Sequence, residues 1–185
     1  MTGTHNGPPN QLQAVQHHLT ELLEAIERCV FFLHASSMKI DWPLQQDYLE
    51  KHQKDVGLFE ALSSINERFS KLQDTLGAAM RHASILSGES GTPFLKVLSF
   101  YEKLGVIESM ESWQICRVTR NLAAHGYGVD YGVIAEHFNA LQELVPDLYR
   151  IAGRFMRYCK DSLGLEPARG EFSESFRRMT SQPRA

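Results

Sequence analysis

No run of apolar residues in this sequence approaches the roughly 18 needed to cross a bilayer. The stretch Met1–Asn10 is polar, bears glycine and proline, and has no apolar signal region. The expected compartment is therefore the cytoplasm, with no membrane partner. Cysteine is scarce: Cys29, Cys116 and Cys159 are odd in number, far apart and set in apolar helical patterns. They fit no metal spacing, and buried reduced thiols are the expectation. No segment sustains period-two alternation with β-branched residues, so no strands are expected. A glycine-rich phosphate loop, a paired-cysteine cluster and a nucleophile elbow are all missing, which counts against nucleotidyltransferase, zinc-protein and hydrolase readings. No metal or cofactor is expected. A global basic field is missing too, since 19 Lys and Arg face 22 Asp and Glu for a formal net charge of −3. That counts against passive RNA binding, but leaves room for an enzyme that concentrates a few cations in one cleft.

What the sequence has is helical periodicity. At 185 residues, 43% hydrophobic and 22% charged, it is long enough for one domain with a real core. The first nine residues should be disordered. From about Asn10, a plausible N-cap, Leu12, Val15, Leu19, Leu22, Leu23, Ile26, Val30 and Leu33 recur at three- and four-residue spacing and predict a helix to about Ser36. Pro43 is well placed as the first residue of a short helix over 43–52. A longer helix is expected from near Lys54 to about Ser87, closed by Gly88. Pro93 opens a helix over Phe94–Leu104, which Gly105 closes. Ser109 caps another that runs through Trp113 to about Ala124, and Gly126 and Gly128 end it. Asp130 begins the last, to about Leu163, in which Pro146 should bend or break the rod. Residues 165–185 are polar and are expected to form a flexible tail. Short links between long amphipathic helices imply an all-α antiparallel bundle of four to five helices over residues 10–164.

The segment that bears chemistry is Arg117-Val-Thr-Arg120-Asn121-Leu-Ala-Ala-His125-Gly-Tyr127, at the end of a helix. Positions four apart on a helix differ by about 40°, so Asn121 and His125 align. Arg117 lies on the same flank one turn earlier, and Arg120 has the reach to join them. These residue types suit metal-free RNA cleavage. A histidine near neutral pKa shuttles the proton between the ribose 2′-hydroxyl and the leaving 5′-oxygen. An arginine fork stabilises the charge of the pentacoordinate phosphorus. Asn121 can orient the histidine, and Tyr127 can stack on a base or hold the phosphate. Transesterification needs an acid and a base, and a two-fold dimer would supply a second histidine. On chemistry alone a structural reading stands beside this one, with Arg120 in a salt bridge and His125 capping a helix.

The pattern Arg120-Asn121-x-x-x-His125-x-Tyr127 resembles the Arg-x-x-x-x-His-x-Tyr signature of HepT-type toxins in the HEPN superfamily. The passage Phe94-Leu-Lys-Val-Leu-Ser-Phe-Tyr-Glu-Lys-Leu-Gly-Val-Ile107 resembles the helix and leucine-glycine-valine-isoleucine stretch that precedes the signature there. Arg68-Phe-Ser-Lys-Leu-Gln-Asp-Thr-Leu76 is similar to a helix of one subgroup. The resemblance covers about residues 10–162, with the signature specific and the flanks generic. It implies a HEPN-type bundle that dimerises through the motif-bearing helices around a basic cleft. It also implies a metal-independent endoribonuclease toxin with Arg120 and His125 essential. The implied partners are an RNA substrate and a cognate minimal nucleotidyltransferase antitoxin, and Tyr127 matches the tyrosine that can be silenced by AMP. The chain departs from the family in its slightly acidic charge, in the glycine-rich turn after the signature, and in the added length of the first helix and the Trp42-Pro43 linker.

Arg68 and Lys71 could join Arg117 as phosphate contacts, or else form a solvated helix face. Asp74 could orient a catalytic group, pair with Arg68, or make another salt bridge. His17 and His18 point about 100° apart and cannot serve one face. Phe31, Phe32, Trp42, Tyr48 and Phe59 read as core or dimer interface. The chief rival function is a non-catalytic HEPN subunit that binds a nucleotide or a nucleotidyltransferase partner.

Overall fold

A computed structural model describes residues 9–89, 93–122 and 130–181. Among the described residues the chain is all-α, with seven helices and no strand. They are α1 (Pro9–Ser37), α2 (Gln46–Lys51), α3 (Val56–Leu86), α4 (Phe94–Lys103), α5 (Met110–Leu122), α6 (Tyr131–Leu163) and α7 (Ser173–Thr180). No helix among them is long and apolar enough to cross a membrane. The three cysteines are free and buried.

Helix termini follow local chemistry. Asp55 caps α3 by accepting from Leu58 N–H at 3.0 Å, and Asp130 caps α6 by accepting from Gly132 and Val133. Ser109 and Ser112 form a reciprocal cap at the start of α5, each backbone N–H donating to the other's hydroxyl. Gly164 ends α6 in the left-handed region at φ 64°, which costs glycine little. One expectation about proline changes, and the other is narrowed. Pro43 opens no helix: it follows a cis bond to Trp42, and α2 starts three residues later. Helix α6 continues across Pro146 without a break. The packed flanks of a 33-residue helix hold the run together where one backbone donor is lacking.

The most extensive helix pair is α1 with α3, joined by Leu19, Leu23, Ile26, Val30 and Leu33 against Ile65, Phe69, Leu72, Leu76 and Met80, all buried. Cross-contacts fix the directions. His18 meets His82 while Phe32 meets Arg68, so α1 and α3 are antiparallel. Ser37 bonds Gln142 and Val30 bonds Tyr149, so α1 and α6 are antiparallel as well. Asn66 meets His137 and Ser87 meets Tyr158, which makes α3 and α6 parallel. The fully antiparallel expectation is corrected there: α4 and α5 carry the chain back along α3, so α6 sets out again from the same end.

The expected flexible tail is also corrected, over residues 165–181. Thr20 carbonyl accepts from Ala168 N–H, Glu24 accepts from the Arg169 and Gly170 N–H groups at 3.1 and 3.0 Å, and Ser173 hydroxyl donates to Glu27 at 2.9 Å. Phe176 is buried between α1 and α6. The segment is polar in composition, but Glu24 of α1 satisfies two of its backbone donors, Glu27 takes its Ser173 hydroxyl, and one ring anchors it. The N-terminal residues 1–8 lie outside the described residues.

Candidate functional site

Helix α5 is held against α3 by a buried polar contact and a close approach. Gln73 of α3 donates to the Trp113 carbonyl at 2.9 Å. Gly77 lets the Phe94 and Trp113 rings approach α3, since a β-carbon there would stand 3.3 Å from Phe94 Cζ and 3.5 Å from Trp113 Cζ2. Those rings meet edge-on at 6.2 Å. The result is a cleft of about 320 Å³ whose lining includes Arg81, Arg117, Arg120 and Asp74.

Arg120 is the best-defined side chain of this cleft. It is 12% exposed, donates through Nη1 to the Ser70 carbonyl at 2.8 Å, and pairs through Nη2 with Asp74 Oδ1 at 2.8 Å. Its Nε–H is buried and has no partner among the described residues. Asp74 is 65% exposed, so the ion pair has a wet side and a dry side. Arg117 is exposed beside it. Arg81 sits over the Phe94 ring, its guanidinium carbon 5.1 Å from the centroid. Three guanidinium groups against one carboxylate leave the cleft positive within an acidic chain.

The sequence-based site residues divide into three groups. Arg117 and Arg120 line the cleft, and Asn121 is exposed one turn beyond Arg117 on the same helix. Arg68 and Lys71 belong elsewhere. Arg68 lies 5.5 Å from the Phe32 ring centroid on the α1 side, and both cations act on the Cys29 thiol of α1, which burial pushes above its ordinary pKa. Neither lines the cleft, and Arg68, six positions from Asp74, is turned about 120° away from it. His125 and Tyr127 lie outside the described residues. Asp74 takes Arg120 as its partner, not Arg68. Sequence reasoning passed over Gln73, Gly77, Arg81, Phe94 and Trp113 as cleft members. Gly77, a glycine inside a strongly periodic helix, was the available signal of a close approach.

Opposite its buried face, α5 shows solvent a stripe of Ile115, Val118 and Leu122, exposed by 48%, 59% and 60%. Among the described residues nothing covers these three large apolar side chains, which lie at helical spacing. Comparison with family models, with curated proteins and with solved structures finds no match to this chain.

Proposed function

We propose that this chain is a metal-independent endoribonuclease of HEPN type, the toxin half of a pair whose other half is a minimal nucleotidyltransferase. The observation that carries the reading is the setting of the motif arginine. Arg120 is fixed by Asp74 and Ser70 in the wall of a positive cleft in which Arg117 stands open to a phosphate. A guanidinium held in place needs little reorganisation as charge builds on phosphorus. In this reading His125 moves the proton from the 2′-hydroxyl to the leaving oxygen. Asn121 orients it, Arg117 binds the phosphodiester, and Tyr127 contacts the RNA and accepts AMP from the antitoxin. The bare stripe of α5 supports pairing of two chains through this helix, with a histidine from each.

A second reading has one observation in its favour. The Asp74 carboxylate already neutralises Arg120, which suits a non-catalytic HEPN subunit that binds a nucleotide or a partner chain. RNA cleavage in excess EDTA by the purified protein and its His125→Ala variant separates the two. Cleavage by the parent alone supports the nuclease. Cleavage retained by the variant removes His125 from the chemistry. Silence from the parent, after intact mass excludes an AMP adduct, favours the binding subunit.

A further inference from the structure

A cavity of about 630 Å³ lies away from the motif, along the seam between the C-terminal half of α6 and α7. Its lining is mostly cationic and apolar, with two carboxylates, Glu27 and Glu166, among the cations. Arg154 and Arg157 come from α6, Arg177 and Arg178 from α7, while the half-buried Met156 and Leu165 contribute apolar surface. The cations at its margin differ in state. Arg150 is paired with Asp147 and Glu108, and Lys160 with Glu166. Arg154, Arg157, Arg177 and Arg178 form no ion pair among the described residues, and Arg154 is half-buried. Arg177 lies near two carboxylates: Glu27, whose pKa burial raises, and Glu166, whose pKa Lys160 lowers with a smaller part from Arg177.

Four arginines that form no ion pair among the described residues line one concavity together with Glu27 and Glu166, so cations outnumber carboxylates there. Their concentration here provides for an anion. Arginine offers planar donor forks that match phosphate oxygens. The volume falls within the roughly 300–1,000 Å³ of small-ligand pockets, and the apolar surface suits a flat, uncharged body. A track for a polynucleotide would instead be a long open groove with stacking rings. The cavity is built by the fold itself: Gly153 lets Thr180 come close, with a β-carbon at 153 only 3.2 Å from Thr180 Cβ, and Phe176 seats α7.

We propose that the α6–α7 cavity binds a nucleoside di- or triphosphate, its phosphates on Arg154, Arg157, Arg177 and Arg178 and its base against the apolar surface. This site is separate from the motif cleft and does not rest on the ribonuclease reading. The test is calorimetric titration of the full-length protein with ATP, with inorganic triphosphate, and with a single-stranded RNA oligomer. ATP is expected to bind one per chain, and triphosphate roughly tenfold or more weaker for want of a base. Arg154→Ala with Arg177→Ala should weaken ATP at least about tenfold. Arg157→Glu with Arg178→Glu, at two exposed positions, should do the same in a protein whose core is untouched. Arg117→Ala in the motif cleft should leave ATP binding unchanged. The proposal is overturned if ATP gives no heat at about millimolar concentration, or if both groove variants bind as the parent does. It is equally overturned if Arg117→Ala abolishes binding, or if RNA binds the groove in place of ATP.

Discussion

The Arg120 guanidinium lies 2.8 Å from the Asp74 carboxylate and, through its other terminal nitrogen, 2.8 Å from the Ser70 carbonyl oxygen, so the motif arginine is tied to α3 at two points one turn apart. The tie positions the fork more than it stabilises the fold. Asp74 is mostly exposed, and an ion pair with one wet partner contributes about 0–1 kcal/mol.

Asp74→Ala should therefore lower stability by no more than about 1 kcal/mol while reducing RNA cleavage by about tenfold or more, as an oriented charge becomes a loose one. Arg120→Lys should not preserve activity, because an ammonium cannot bridge Ser70 and Asp74 together. Chemical denaturation and initial cleavage rates on the same samples check both. A large loss of stability with unchanged cleavage would make the pair a structural strut.

The bare stripe on α5 carries a prediction about assembly. Val118→Asp places a charge at a position 59% exposed in the isolated chain, so the monomer fold should be unaffected. If two copies pair through α5, the desolvated charge shifts sedimentation from dimer to monomer. Cleavage should fall with it, since each histidine then loses its counterpart. An unchanged sedimentation coefficient would place the stripe outside any self-association.

Phe176 gives a direct measure of how firmly the C-terminal segment is seated. Truncation of a buried Phe costs about 3–5 kcal/mol where its surroundings are part of the cooperative fold. Phe176→Ala should therefore detach α7 and speed tryptic cleavage at Arg177 and Arg178, both exposed and both in a helix in the parent. A change below about 0.5 kcal/mol with unaltered proteolysis would mean that α7 contributes nothing to the core.

Much of this architecture could be read from residue order. The stripes of α1, α3 and α6, the caps at Ser109 and Asp130, and the glycine stops at 88, 105 and 164 all follow from rules acting within a few residues. Helix α7 escaped because its signal is short: one buried ring, Phe176, among charged neighbours, with its fastening supplied by Glu24 and Glu27 some 145 positions away. The pairing of Arg120 with Asp74 escaped for the same reason, as it exists only once α5 is docked on α3. Arg68, left open between a phosphate contact and a solvated face, is different in kind: its turn of about 120° from Asp74 was calculable from the helical repeat alone.

Acid should weaken the α1–α3 pair at His82. Burial is the first cause that lowers its pKa from the ordinary 6.5, with His18, edge-on at 4.6 Å, and Arg81 adding to it. The unfolded chain then takes up its proton at a higher pH than the folded one. Stability from this group is full above about pH 6.5 and is lost as the pH falls toward the lowered value. His137, also lowered by burial, adds in the same direction. Urea midpoints between about pH 7.5 and 5 should fall for the parent and fall less for His82→Phe. Parallel curves for the two proteins would exclude His82 from the effect.

The three buried thiols are distributed over three helices: Cys29 in α1, Cys116 in α5 and Cys159 in α6. Burial raises the latter two to about 11 and about 12, which keeps them as unreactive thiols near neutral pH. Each is consequently a built-in clock for the opening of its own helix. A labelling reagent in excess would read three rates from one native protein by mass spectrometry. Equal rates would describe a bundle that opens only as a whole. A faster Cys116 would single out α5, which has fewer buried anchors than α1 or α6, as a flap that lifts from α3 while those two stay shut.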